Sequence, residues 1–187
     1  MASAELKERA AKCWNELEQA YSAAKQLLIE SEEKLNRLRL FPAPLLEHRD
    51  ALDHLMRYSR IYKESGLCDA AIDELSNAKQ HEIRAFFDIA DYICVIIRSE
   101  IADTLSVLSV RQINKIWSEY ENVKKRAIDI SETIAQIRKD RTETVDKIKT
   151  YQDAVNQMFD IYYYYQLNVL PKIGNRWMHQ LKKYFNS

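Results

Sequence analysis

A chain of 187 residues, 47% hydrophobic and 30% charged, has the apolar content for a core and too much of it for a disordered polymer. Its 28 Lys+Arg balance 28 Asp+Glu, so no whole-molecule field steers it to nucleic acid or an anionic membrane. With only 2 glycines and 3 prolines, it lacks the breakers that a sheet protein needs every ~8–12 residues, and long helices are expected instead.

The opening MASAELKERA is charged and alternating, without an apolar signal core. The most apolar stretch, residues 92–110, carries Arg98, Glu100 and Asp103, which a membrane span rarely tolerates. A soluble, cytoplasmic protein with no integral membrane segment is expected. Cys13, Cys68 and Cys94 stand far apart with no CxxC pair, the pattern of reduced thiols in a cytosol-like compartment.

The first helix is expected from about Ser3 to Leu40. Leu6, Ala10, Cys13, Leu17, Ala20, Ala24, Leu27, Ser31 and Leu38 follow the alternating three–four spacing of a coiled-coil seam. Phe41-Pro42-Ala43-Pro44 stops it, and Pro44 suits the first turn of a second helix. That helix runs to about Glu64, with Gly66 as its left-handed stop. Asp69 then caps a third, continuing through Ile72, Leu75, Ile83, Phe86, Ala90, Ile93, Ile97 and Ile101 to about Leu108.

No Gly or Pro falls between Leu67 and Leu170. From Ile113 through Tyr120, Ala127, Ile134, Arg141, Ile148, Val155 and Tyr162 to Val169, a heptad runs interrupted only at Arg141 and Thr144. Because a turn need not keep this phase, one helix over about 109–168 is favoured, with a hairpin tipped by Arg141 as the alternative. A short helix over about 172–185 follows Pro171 and carries Trp177. The expectation is one all-α domain over 1–187. It comprises an antiparallel bundle of heptad-patterned helices over about 1–108, a coiled-coil arm over 109–169 and the short C-terminal helix.

No Gly-rich phosphate loop, GxSxG or HExxH motif is present, and no His or Cys pairs have zinc spacing. No metal and no cofactor are expected. The richest polar line is Glu47, Asp50, His54 and Arg57, spaced three, four and three on one helix face; His81, Arg84, Asp88 and Asp91 repeat it on the third helix. Counted from Gly66, Asp50 falls level with His81 and Glu47 with Arg84. These residues read either as interhelical ion pairs or as an anion pocket of His54, Arg57, His81 and Arg84.

Arg49-Asp50-Ala51-Leu52-Asp53-His54 resembles the Arg-x4–6-His motif of the HEPN superfamily, all-α proteins that include ribonucleases. The resemblance implies Arg49 and His54 gathered at a dimer interface. There Arg49 would stabilise the transition state and His54 would move a proton during attack by an RNA 2′-hydroxyl.

Tyr162 to Tyr165 turn about 300° around a helix, so one face cannot bury all four. Tyr163, Tyr164 and Trp177 are therefore candidate interface residues. The basic aromatic tail after Asp160 could touch a membrane surface or nucleic acid, or simply suit a helix dipole. The leading functional expectation is a non-enzymatic helical assembly or adaptor protein, a homodimer with a possible protein partner. A HEPN-type ribonuclease or nucleotide-binding module is the alternative, and RNA is a partner only under it.

Overall fold

In the computed structural model, which describes residues 3–35, 42–139 and 144–174, every regular element is helical. Among the described residues the helices are α1 (Ala4–Lys34), α2 (Pro42–Ser65), α3 (Asp69–Leu105), α4 (Val110–Ile116), α5 (Tyr120–Lys139) and α6 (Val145–Tyr164). The expected all-α class holds.

Ser3 caps α1 by accepting the Leu6 N–H at 3.2 Å, as a short hydroxyl side chain does at a helix start. Ala10, Cys13, Leu17, Ala20, Ala24, Leu27 and Ser31 are its buried residues; they are the expected seam between Leu6 and Leu38. Ser31 donates its hydroxyl to the Leu28 carbonyl at 2.7 Å, so its burial strands no donor. The helix stops at Lys34, short of the expected Leu40. Leu35 is already extended at φ −99°, ψ 125°, and the rest of the expected helix, Leu38 and Leu40 included, lies outside the described residues.

The second turn follows the sequence. Gly66 adopts φ 70° and returns its N–H to the Tyr62 carbonyl at 2.9 Å, a backbone state that favours glycine. Pro42 and Pro44 sit in the first turn of α2, where a missing N–H costs nothing.

Chain contacts divide the protein into two compact units, Met1–Ile93 with Ile137–Gln152 and Cys94–Gln136 with Asp153–Ser187. The division falls inside α3, α5 and α6 rather than at the expected step near residue 108. In the first unit, α2 is antiparallel to its neighbours. Trp14 meets Tyr58 and Tyr21 meets His48 across α1 and α2. Arg9–Asp69 at 2.6 Å and Lys79–Glu16 at 2.8 Å set α1 parallel to α3. Cys13, Leu17, Leu75 and Ala78 form a core cluster against which Leu55 and Tyr58 pack. Tyr151 lies buried on Phe86 and Phe87 and donates its hydroxyl to Asp91 at 3.0 Å.

Residues 109–168 do not form the single helix expected of them. They form α4, α5 and α6. Trp117 leaves helical backbone at φ −138°, ψ 84° and is only 2% exposed, packed on Tyr120, Tyr164 and Tyr165. The indole packs on three rings at the break, with its Nε1–H buried and lacking a hydrogen-bond partner. Further on, Arg126 reaches Gln157 at 3.3 Å and Lys147 lies 3.5 Å from the Ile137 carbonyl, so α5 and α6 run antiparallel. The expected coiled-coil arm is accordingly a hairpin. Arg141, its expected tip, lies outside the described residues. Heptad phase survives the turn, since Ile130, Ile134, Ile148, Tyr151, Val155, Met158, Tyr162, Tyr165 and Val169 are all buried.

Helix α6 passes into a π turn over Tyr165–Val169, where the Leu170 N–H bonds to the Tyr165 carbonyl, and helical backbone continues through Pro171 to Gly174. A proline ring crowds the carbonyl four residues back, and the wider π turn just ahead accommodates it. The helix boundary expected at Pro171 is therefore absent. The remainder of the expected C-terminal helix, with Trp177, lies outside the described residues.

Candidate functional site

The polar faces of α2 and α3 meet in a ladder of three histidine–glutamate pairs, each made through Nδ1. His48 meets Glu82 at 2.8 Å, His54 meets Glu74 at 2.6 Å, and His81 meets Glu47 at 2.8 Å. Arginines flank two rungs: Arg84 Nε donates to Glu47 at 3.0 Å, and Arg57 Nε lies 3.4 Å from Glu74. The His54 and His81 rings stack with centroids 5.1 Å apart. His81 Nδ1 also lies 2.9 Å from Arg84 Nη2. Protonated, this nitrogen donates to Glu47; with a lone pair there, it accepts from Arg84.

The expected Glu47–Arg84 pair is therefore present, with His81 joining it. Asp50 does not reach His81. It takes two hydrogen bonds from its neighbour Arg49, at 2.9 and 2.7 Å, and that guanidinium holds the Asp50 carboxyl below its ordinary range. A partner one residue away needs no long-range ordering, which is why the local pair forms.

Arg49 and His54, joined by the HEPN-like spacing, point different ways. Five residues at about 100° each place them about 140° apart around α2. The Arg49 side chain is 62% exposed and that of His54 only 17%, turned to Glu74 on α3. Within one chain they do not meet. His54, Arg57, His81 and Arg84, the candidate anion set, do come together, and each faces a carboxylate that an anion would have to displace. Tyr163 and Tyr164 are exposed, and Tyr164 rests one side on Trp117.

One rung escapes the sequence ladder. His48 and Glu82 belong to neither polar line, and His48 is eighteen residues before Gly66 and Glu82 sixteen after it, one step further out of level than Glu47 and Arg84 at nineteen and eighteen. Both side chains are largely buried, Glu82 to 7% exposure, and their 2.8 Å contact is a close ion pair, although neither His48 Nδ1 nor Glu82 Oε2 has a well-aligned hydrogen bond. The Glu82 carboxylate nevertheless raises the His48 pKa above its ordinary value, against the opposing effect of burial.

This pair opens onto a pocket of about 350 Å³ between α1, α2 and α3, within the range of small-ligand sites. Trp14, Leu17, Tyr21, Leu52 and Leu55 form its apolar walls, and Glu18, His48 and Glu82 its polar groups. A second cavity of about 200 Å³, in the other unit, is lined by Ile101 of α3, Trp117, Tyr120, Val123, Met158 and Ile161 among others. Sequence periodicity marks Leu17 but gives no sign of the aromatic walls, because Trp14 and Tyr21 lie beside the α1 seam rather than on it.

Among the described residues no group of three His, Cys, Asp or Glu is arranged to hold a metal ion, and no helix is long and apolar enough to cross a membrane. Burial pushes the Cys13 thiol up, away from the thiolate that reactive chemistry needs. No known protein family, curated protein or solved structure matches the chain.

Proposed function

We propose that the protein is a non-enzymatic helical assembly module that forms a homodimer through the outer face of α2, in a cytosol-like compartment. The observation that carries this reading is the packing of α2. Of its 24 residues only Pro44 and Ala51 are buried, while Leu45, Leu46, Leu52, Met56 and Tyr62 are about half exposed or more. Leu45, Leu52 and Met56 follow a seven–four spacing and share one stripe, the pattern of a helix that meets another helix. A contiguous apolar stripe of this kind is the usual mark of an association surface. The exposed Tyr163 and Tyr164 offer a second contact for a further partner.

Light scattering tests the proposal. The wild type should show twice the 22.1 kDa chain mass at micromolar concentration, and Leu52→Asp with Met56→Asp should return it to one chain mass. A wild type of one chain mass overturns it. The ribonuclease reading rests on the Arg49…His54 spacing alone. Arg49 shares the outer side of α2 with the apolar stripe, but His54 faces α3, so such a dimer gathers only one member of the motif.

A further inference from the structure

The pocket between α1, α2 and α3 has a chemistry that selects its ligand. Its walls are apolar, two of them the aromatic side chains Trp14 and Tyr21; its polar groups are those of Glu18, Glu82 and His48; and no lysine or arginine lines it. Glu82 is more than nine-tenths buried, and its Oε2 has no well-aligned hydrogen bond, only the 2.8 Å ion-pair contact with His48. A buried carboxylate left in this state gains most from a donor that brings its own charge. Aromatic walls, which attract a cation placed over a ring face, suit the same class of ligand.

We propose that this pocket binds a small apolar primary amine, its hydrocarbon body between Trp14, Tyr21, Leu52 and Leu55 and its ammonium on the Glu82 carboxylate. The volume of about 350 Å³ suits one ring with a short chain. A ligand carboxylate would meet Glu18 and Glu82 with no lysine or arginine to receive it, and a neutral alcohol could donate one hydrogen bond to Glu82 but brings no charge to it. The bound ammonium takes over the charge compensation that imidazolium gives Glu82, so His48 releases its proton to solvent as the amine enters. The charged and titratable groups around His48 are Glu18 and Tyr21 of α1, Glu47 of α2 and Glu82 of α3. None of them is a competing cation.

Binding is therefore linked to pH. Affinity for the amine should rise with pH while His48 is protonated, by up to about tenfold per pH unit, and flatten above its pKa. Calorimetric titration of the full chain with 2-phenylethylamine, 3-phenylpropionate and 2-phenylethanol, at pH 6 and pH 8, provides the test. The amine alone should bind, more tightly at pH 8, with proton release seen as a buffer-dependent heat. Glu82→Gln should cut amine affinity at least tenfold and remove the pH dependence. If that variant fails to fold, Tyr21→Ala serves, since Tyr21 lies half exposed on the pocket wall; it should weaken binding several-fold and leave the pH dependence intact. Equal binding of the alcohol and the amine, preference for the carboxylate, pH-independent amine binding, or no binding of any of the three overturns the proposal.

Discussion

The imidazole rings of His54 and His81 lie 5.1 Å apart and 28° from parallel, each with its Nδ1 turned to a glutamate on the opposite helix. The two contacts cross between α2 and α3 in opposite senses, so sliding either helix by one turn, about 5.4 Å, breaks both. The ladder thus fixes register where the surrounding apolar positions alone would tolerate slippage.

Removing one imidazole should cost stability rather than activity. His54→Ala leaves the partly buried Glu74 with only the longer Arg57 contact, and a loss of about 1–3 kcal/mol is expected in urea unfolding. Arg49→Ala, on the solvent side with Asp50 as its partner, should stay within about 0.5 kcal/mol of wild type. Incubation of all three proteins with mixed RNA should yield no cleavage. Cleavage by wild type alone, at matched stability, would restore the ribonuclease reading.

The His48–Glu82 pair predicts a pH slope. The His48 pKa is raised in the folded protein, so the stability the pair contributes is fully present below the unfolded histidine value, about 6.5, and is lost as pH rises through the higher folded value. Urea midpoints measured from pH 6 to pH 8 should fall more steeply for wild type than for Glu82→Gln. Identical slopes would remove the pair from the account.

The α5–α6 hairpin can be measured directly. Spin labels at Glu132 and Asn156, both exposed, should lie within about 20 Å of each other, as two packed helices with label arms require. A continuous helix would separate them by about 36 Å at about 1.5 Å per residue, and that distance would contradict the hairpin.

These elements also show what was legible in the residues. The α1 seam was readable because small and branched apolar side chains recur where nothing else competes for the buried face. The α2–α3 register was readable because Gly66 fixes the turn and charges can be counted outward from it. The hairpin was not. A heptad records only position modulo seven, and the turn between α5 and α6 keeps the count, so sequence phase cannot separate one helix from two. The break at Trp117 was hidden for a related reason: it depends on Tyr164 and Tyr165, some fifty residues away in the chain. At the site, Glu47–Arg84 was legible from spacing, whereas Asp50 was claimed by its neighbour, a local competition that mirror counting ignores. His48 and Glu82 were missed because each stands outside the polar lines that drew attention to the others.

Association through α2 is the central claim, and a label on its outer face tests it most directly. A single nitroxide at Arg60, exposed on the stripe side of α2, should report an intermolecular distance of about 20–40 Å in a homodimer built on that face, from helices packed 8–10 Å apart plus label arms and axial offset. Dilution with unlabelled chain should abolish the coupling, and Leu52→Asp with Met56→Asp should do the same. No intermolecular coupling from residue 60, or coupling that appears only when the label is moved beside Tyr163, would contradict the account.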